Sequence, residues 1–355
     1  EFRRVLLRSG PLECGTACPA QPGGAGGTHQ AAEQPIGWIT YSDLTLTILL
    51  RPDPAAASSL WSRRRFLRVL AGAGLGASLA GGSAGLRGQT RSQGMAEARG
   101  PHLRLLAVAD SGSGDAAQRA VAIQMAQRHR QQPVQLVLMG GDNIYNDGDI
   151  GLVGSHFEKP YRELLQAGVP FKAVLGNHDV RRDGGAGQLA YRGLGMQGRW
   201  YSFRRGPVQF FMLDTNPGDH WGAQLSWLRG QLAASQAPWK VVVGHHPLYS
   251  EGFYGDDAGL IARLAPLFKS YGVQLYINGH DHNYARTPVL DGTTYLTVGG
   301  GGASLRPVRL RRSGAKAVSA HSFAELDFTD DEVLLQAWDR HGARIDLARL
   351  PVQQR

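Results

Sequence analysis

The chain has 355 residues, 42% of them hydrophobic, enough for one large globular domain or two small ones. Its formal net charge is +9, but +5 of that sits in residues 1–94, so the basic balance is partly a property of the leading segment and argues against a nucleic-acid surface. Both cysteines, Cys14 and Cys18, lie in that segment, which excludes a disulfide framework or a thiolate metal site from Arg68 onward.

Residues 1–60 are rich in Gly, Pro and Ala and read as a poorly structured extension. An apolar patch from Ile36 to Leu50 contains Asp43 and shows no clear period, too short for a membrane span, which needs roughly 20 apolar residues. Residues 61–84 open with Arg63-Arg64-Arg65-Phe66-Leu67 and continue as a mildly apolar Ala/Gly/Leu run ending in Gly82-Ser83-Ala84. A charged head, a weakly apolar run and small residues at its end make a signal-peptide pattern, and the arginines before Phe-Leu resemble the twin-arginine export signal. The expectation is an exported, periplasmic or extracellular protein that uses the twin-arginine machinery and keeps no stable membrane span. A signal at this position predicts that translation starts near Leu60 and that residues 1–60 precede the true start. Residues 85–101 then form a linker, and 102–355 the catalytic domain.

Within that domain five short apolar runs each end in a polar motif. LRLLAVAD delivers Asp110, VQLVLMGGD delivers Asp142 and then Tyr145, PFKAVLGNH delivers Asn177 and His178, WKVVVGHH delivers His245 and His246, and VQLYINGHDH delivers His280 and His282. Runs of this length, rich in Val, Leu and Ile and punctuated by Gly, read as buried strands. Helical spacing covers Asp115–Arg130, Ser155–Leu165, Leu225–Ala233 and Gly259–Tyr271, while 209–214, 293–298, 324–328 and 333–338 read as further strands. Strand–helix alternation followed by strands predicts an α/β fold of two packed sheets flanked by helices. In such folds ligands bind beyond the carboxyl ends of the strands, so the five motifs converge on one edge.

The residue types converging there are a ligand set for two metal ions. Asp110 is a hard oxygen ligand, and Gly112 behind it allows a tight turn. Asp142 could bridge two cations with its two oxygens, at the roughly 3.5–4 Å separation used in two-metal hydrolysis. Asn177 offers a neutral oxygen, and His245 and His280 offer imidazole nitrogen, a set suited to divalent Fe, Zn or Mn. His282, two residues after His280, could serve the other ion. Tyr145 adds an anionic phenolate, which with Asp110, Asp142 and His282 favours Fe(III). Three anionic ligands leave such a pair net positive, a trap for a phosphate dianion.

Taken together, GDNIY, GNHD, FMLDT, QLSWL, GHHPLYS and GHDHNY resemble the purple acid phosphatases, in their small, tartrate-resistant type, within the calcineurin-like metallophosphoesterases. The resemblance covers roughly residues 103–350. It implies a four-layer α-β-β-α sandwich of two mixed sheets. It also implies an acid phosphatase in which hydroxide on an Fe(III)–M(II) centre attacks a phosphate monoester, with Asp110, Tyr145 and His282 on Fe(III), Asn177, His245 and His280 on the divalent ion, and Asp142 between them. His178 corresponds to the histidine that contacts the phosphate and protonates the leaving group. The chain departs from the pattern at Ala109, where relatives have Gly, in the short segment 216–223, which implies an open site, and at Tyr254, where relatives often carry a second substrate-side histidine. His246 and Tyr254 are candidate substrate contacts, and Tyr249, His220 and Trp221 candidate pocket residues. Two other functions share the motifs: a metal-dependent phosphodiesterase on a Zn or Mn pair, and a non-catalytic phosphate-binding module. The second would lack a ligand or His178, and none is missing.

Overall fold

The computed structural model describes residues 102–352; the expectations for the extension, signal and linker fall outside the described residues. Three strands open the domain: β1 (Leu103–Val108), β2 (Leu136–Met139) and β3 (Phe171–Ala173). Seven more follow: β4 (Tyr201–Arg205), β5 (Val208–Met212), β6 (Trp239–Val243), β7 (Leu275–Asn278), β8 (Tyr284–Arg286), β9 (Thr294–Val298) and β10 (Lys316–Val318). The chain then returns through β11 (Ser322–Phe328), β12 (Glu332–Asp339) and β13 (Arg344–Pro351). The first and last groups form one sheet, ordered β13-β12-β11-β1-β2-β3, and the middle group forms the other, ordered β10-β8-β9-β7-β6-β5-β4. Both sheets are mixed: β1-β2-β3 form a parallel half at one end of the first, and β5-β6-β7-β9 a parallel centre in the second.

The two-residue period of a strand sorts the side chains into three cores. Leu103, Leu105 and Ala107 of β1 face the space between the sheets, where they meet Phe210, Trp239, Val241 and Ile277. Leu106 and Val108 point the other way, against Val121, Ala122 and Met125 of helix α1 (Ala116–Gln131). On the second sheet, Phe211, Val242 and Tyr276 face outward onto Leu228 and Leu232 of a helix at Trp221–Ala234 and onto Leu264 and Phe268 of another at Ala258–Tyr271. This is the four-layer sandwich expected. Central strands buried on both faces explain why β1, β2, β6 and β7 read as continuous apolar runs.

Local differences from the expected elements have local causes. The stretch 155–165 is not one helix: a five-residue wide turn, Gly154–Glu158, is followed by a short helix, Arg162–Gln166. Pro160 stands between them, and its missing N–H and ring break the helical ladder. β13 alternates exposed and half-buried residues at a sheet edge, so it has no apolar run to announce it. α1 begins where Asp115 accepts a bond from the Gln118 amide at 3.0 Å, an N-cap, and ends in Arg128, His129 and Arg130, which suit the helix dipole.

Trp239 is 1% exposed and packs edge-on to Phe328 at 5.3 Å across the gap between the sheets. Trp239→Ala should cost about 3–5 kcal/mol, measured as the shift in a denaturant unfolding curve.

Candidate metal centre

Loops leaving β1, β2 and β3 on one sheet and β6 and β7 on the other end beside one another. Backbone hydrogen bonds tie them: the Asp110 amide to the Gly141 carbonyl at 3.0 Å, and the Gly112 amide to the Asp142 carbonyl at 3.2 Å. To turn their side chains back, Asp110, Asp142 and His280 adopt φ values of 55°, 52° and 67°. That left-handed region is unfavourable for a side-chain-bearing residue, and such conformations gather at functional sites. Glycine is needed at the closest approaches: a Cβ at Gly176 would lie 2.2 Å from Asp142 Oδ1, and one at Gly279 2.3 Å from Asp110 Oδ2.

The donor atoms fall into two groups. In the first, Tyr145 OH is 3.2 Å from Asp110 Oδ1 and 3.3 Å from His282 Nε2, and the latter two are 3.4 Å apart. In the second, Asn177 Oδ1 lies 3.0 Å from both His245 Nε2 and His280 Nδ1. Asp142 stands between them, with Oδ2 3.5 Å from His245 Nε2. Donor atoms of Asp110, Asp142 and His245 all lie within 4.8 Å of one another. Each carboxylate is anchored by one oxygen, Asp110 Oδ2 by the His280 amide and Asp142 Oδ1 by the His178 amide, both at 2.8 Å. Asp142 Oδ2, the oxygen that the His178 amide leaves free, faces His245 Nε2.

The electrostatics of this arrangement call for cations. Asp110 and Asp142 are buried, and no lysine or arginine among the described residues pairs with either. Burial pushes the Asp110 carboxyl up to about 6, with the Asp142 charge adding to the shift. Burial, then neighbouring His245 and His246, depress His280 to about 2, and burial with His246 holds His245 well below its ordinary value. His245 Nδ1 is 2.9 Å from the Gly140 carbonyl, which can only accept, so Nδ1 carries the proton. Nε2 of the neutral ring then has only a lone pair, and it faces two oxygens. Imidazole lone pairs and carboxylate oxygens converging in a largely buried site without a cationic side chain suit a ligand set, and two ions fit it. His282 Nδ1 is likewise committed to the Ser304 carbonyl at 2.7 Å, which turns Nε2 inward. Burial and the Asp110 and Asp142 charges raise the Tyr145 phenol far above its usual range, so phenolate there requires a strong cation.

His178 flanks the centre. Its Nδ1 bonds to the Asn146 carbonyl at 2.6 Å, its ring meets Tyr145 edge-on at 4.5 Å, and its Nε2 is 4.0 Å from Asp142 Oδ2. His246 is bonded to Thr215 Oγ1 at 2.8 Å and lies 4.5 Å from the His280 ring. Tyr254 stacks on His280 at 4.5 Å and 18°. His246, Tyr254 and His280 line a cleft of about 380 Å³. Tyr249 is elsewhere, against Tyr295 with Arg312 over its ring. His220 stacks between Trp200 and Trp221.

Sequence reasoning did not single out three buried carboxylates that hold the loops. Asp179 accepts from the Asn143, Ile144 and Gly176 amides and from the Asn143 and Gln188 side chains. Asp281 accepts from Ser250 and from the Phe253 and Tyr254 amides. Asp214 binds Arg199 at 2.7 Å and Asn216 at 2.9 Å. Each falls inside a quoted motif, which was the available signal.

Residues 103–284 match the calcineurin-like phosphoesterase family. Over 237 residues the chain is 33% identical to purple acid phosphatase 7 of Arabidopsis thaliana, covering 58% of this chain and 71% of the relative. It is 29% identical to human tartrate-resistant acid phosphatase type 5, covering 74% of this chain and 94% of that protein. The structure of a purple acid phosphatase from yellow lupin seeds superposes with a TM-score of 0.62 at 20% identity, over 71% of this chain and 54% of that one, which is a likeness of fold.

The raised Asp110 carboxyl sets a pH dependence. Its folded value, about 6, exceeds the unfolded value near 4, so its contribution to stability is complete below pH ~4 and is lost as pH rises through ~6. Metal-free protein should lose thermal stability over that window, and Asp110→Asn should flatten the loss; equal slopes in the two proteins would contradict it.

Proposed function

From the premise that the chain belongs to the calcineurin-like phosphoesterase family, on its purple acid phosphatase branch, we propose that it is an exported acid phosphatase that hydrolyses phosphate monoesters at an Fe(III)–M(II) centre. The family membership makes it a hydrolase of phosphoric esters with a metal site; the monoester preference, the iron and the export are our reading. The observation that carries it is the pair of donor groups either side of Asp142, one containing a tyrosine oxygen. Asp110, Tyr145 and His282 would hold Fe(III), Asn177, His245 and His280 a divalent Fe, Zn or Mn, and Asp142 both. When bound, such a pair supplies Lewis acidity and lowers the pKa of water.

The chain's own groups do the rest. The Asn146 carbonyl and the Tyr145 ring fix the orientation of His178, so that Nε2 points at the space above Asp142. From there Nε2 can contact a phosphoryl oxygen and, once it has taken up a proton from solvent, pass that proton to the departing alcohol or phenol oxygen. The cleft beside His280 receives the remainder of the ester, with His246 and Tyr254 as its walls. Burial keeps His246 below its ordinary pKa, which favours the neutral ring there. Export is supported by the twin-arginine-like pattern at Arg63–Leu67.

The test is the visible spectrum of aerobically purified protein together with its turnover. A broad visible band lost in Tyr145→Phe marks a tyrosinate on Fe(III). A colourless protein with two Zn or Mn ions that still cleaves esters would remove the iron assignment and keep the hydrolase. Faster turnover of diesters than monoesters would favour the phosphodiesterase. His178→Ala should retain both metals and lower kcat by about 10²-fold or more; unchanged turnover would remove His178 from the mechanism.

A further inference from the structure

Arg181 and Arg182 follow the GNHD motif side by side, both exposed, and their surroundings differ. Arg182 is neutralised, with Nε 2.9 Å from Asp147 Oδ2 and Nη1 3.2 Å from Asp149 Oδ2. Among the described residues, Arg181 has no carboxylate within ion-pair distance; it turns the other way, toward the candidate centre. Its Nη1 is 3.3 Å from the Asn146 carbonyl and its Nη2 is 3.1 Å from His178 Nε2. Because His178 Nδ1 donates to the Asn146 carbonyl, Nε2 of the neutral ring is the acceptor, and the guanidinium caps it. That nitrogen is the one 4.0 Å from Asp142 Oδ2.

An arginine bonded to a neutral imidazole and a backbone carbonyl holds weaker partners than a phosphate oxygen would be. Both present bonds go to neutral acceptors, whereas phosphate oxygens are anionic, and the planar fork of the guanidinium matches two of them at once. The exposed side chain can make the exchange without breaking an ion pair.

We propose that Arg181 is a substrate-binding residue whose guanidinium leaves His178 Nε2 for the phosphoryl oxygens of the incoming ester. One movement then does two things. It holds the dianion beside His178, and it uncovers Nε2 to take up from solvent the proton that the leaving-group oxygen then receives. Arg182, already spoken for by Asp147 and Asp149, takes no part. The proposal rests on the phosphoester-hydrolase reading of the site.

The experiment compares the metal-loaded full chain with Arg181→Met, Arg181→Lys and Arg182→Met, measuring orthophosphate binding by titration calorimetry alongside KM and kcat. Arg181→Met should weaken orthophosphate binding and raise KM, each on the order of 10-fold or more, with metal content and melting temperature unchanged. Arg181→Lys should recover part of the loss, and Arg182→Met should stay within about 2-fold of the parent on the same scale. Unchanged phosphate affinity in Arg181→Met overturns the proposal, even if kcat falls, because Arg181 would then act only through the placement of His178. An equal loss in Arg182→Met also overturns it, since the effect would be one of general charge. A parent protein that binds orthophosphate through Arg181 but cleaves no phosphoester would overturn the hydrolase reading and leave the Arg181 assignment standing.

Discussion

Everything at this site follows from buried acceptors brought together without a cationic side chain to balance them. The Nε2 lone pair of His245 faces Asn177 Oδ1 at 3.0 Å and Asp142 Oδ2 at 3.5 Å, and no lysine or arginine among the described residues reaches Asp142 or Asp110. In an interior that penalises unpaired charge, that arrangement is costly by itself. Cations relieve it. The same deficit of positive charge that would make the site bind metal would make the metal-loaded site attractive to a phosphate dianion, and Arg181, with no carboxylate within ion-pair distance among the described residues, stands beside it at His178.

Holding such a site open takes structure. The three candidate ligands with left-handed backbone store strain that other residues offset: the five donors around Asp179 fix the Asn143–Ile144 loop to Gly176, and Asp281 fixes the Phe253–Tyr254 loop beside His280. These carboxylates have the same residue type as the ligands and sit in the same motifs. Their function is distinguished by what surrounds them. Asp179 and Asp281 are saturated with N–H and O–H donors, whereas Asp110 and Asp142 each spend one oxygen on an amide and turn the other to the centre.

That contrast explains what was legible beforehand. Apolar runs buried on both faces announce β1, β2, β6 and β7, and a polar residue just past such a run is conspicuous, so the candidate ligands and the two-sheet architecture could be read from the chain. The edge strand β13, half exposed and rich in charge, could not. Nor could the difference between Asp142 and Asp179, or between Arg181 and Arg182, because both depend on which loop from a distant part of the chain arrives opposite. The helix read across residues 155–165 failed at Pro160, whose local cost outweighed a favourable spacing of apolar residues on either side.

The His280 amide reaches the Asp110 carboxylate across 170 positions of sequence, and the donors of each group come from both sheets. Because each group draws on loops from both sheets, the site is complete only when both sheets have formed and packed against each other. Ion capture is then a late event in folding. Interactions made after the rate-limiting step leave the folding rate alone and slow the reverse reaction. The ions would therefore act on the lifetime of the native state, as clamps across the seam between the layers.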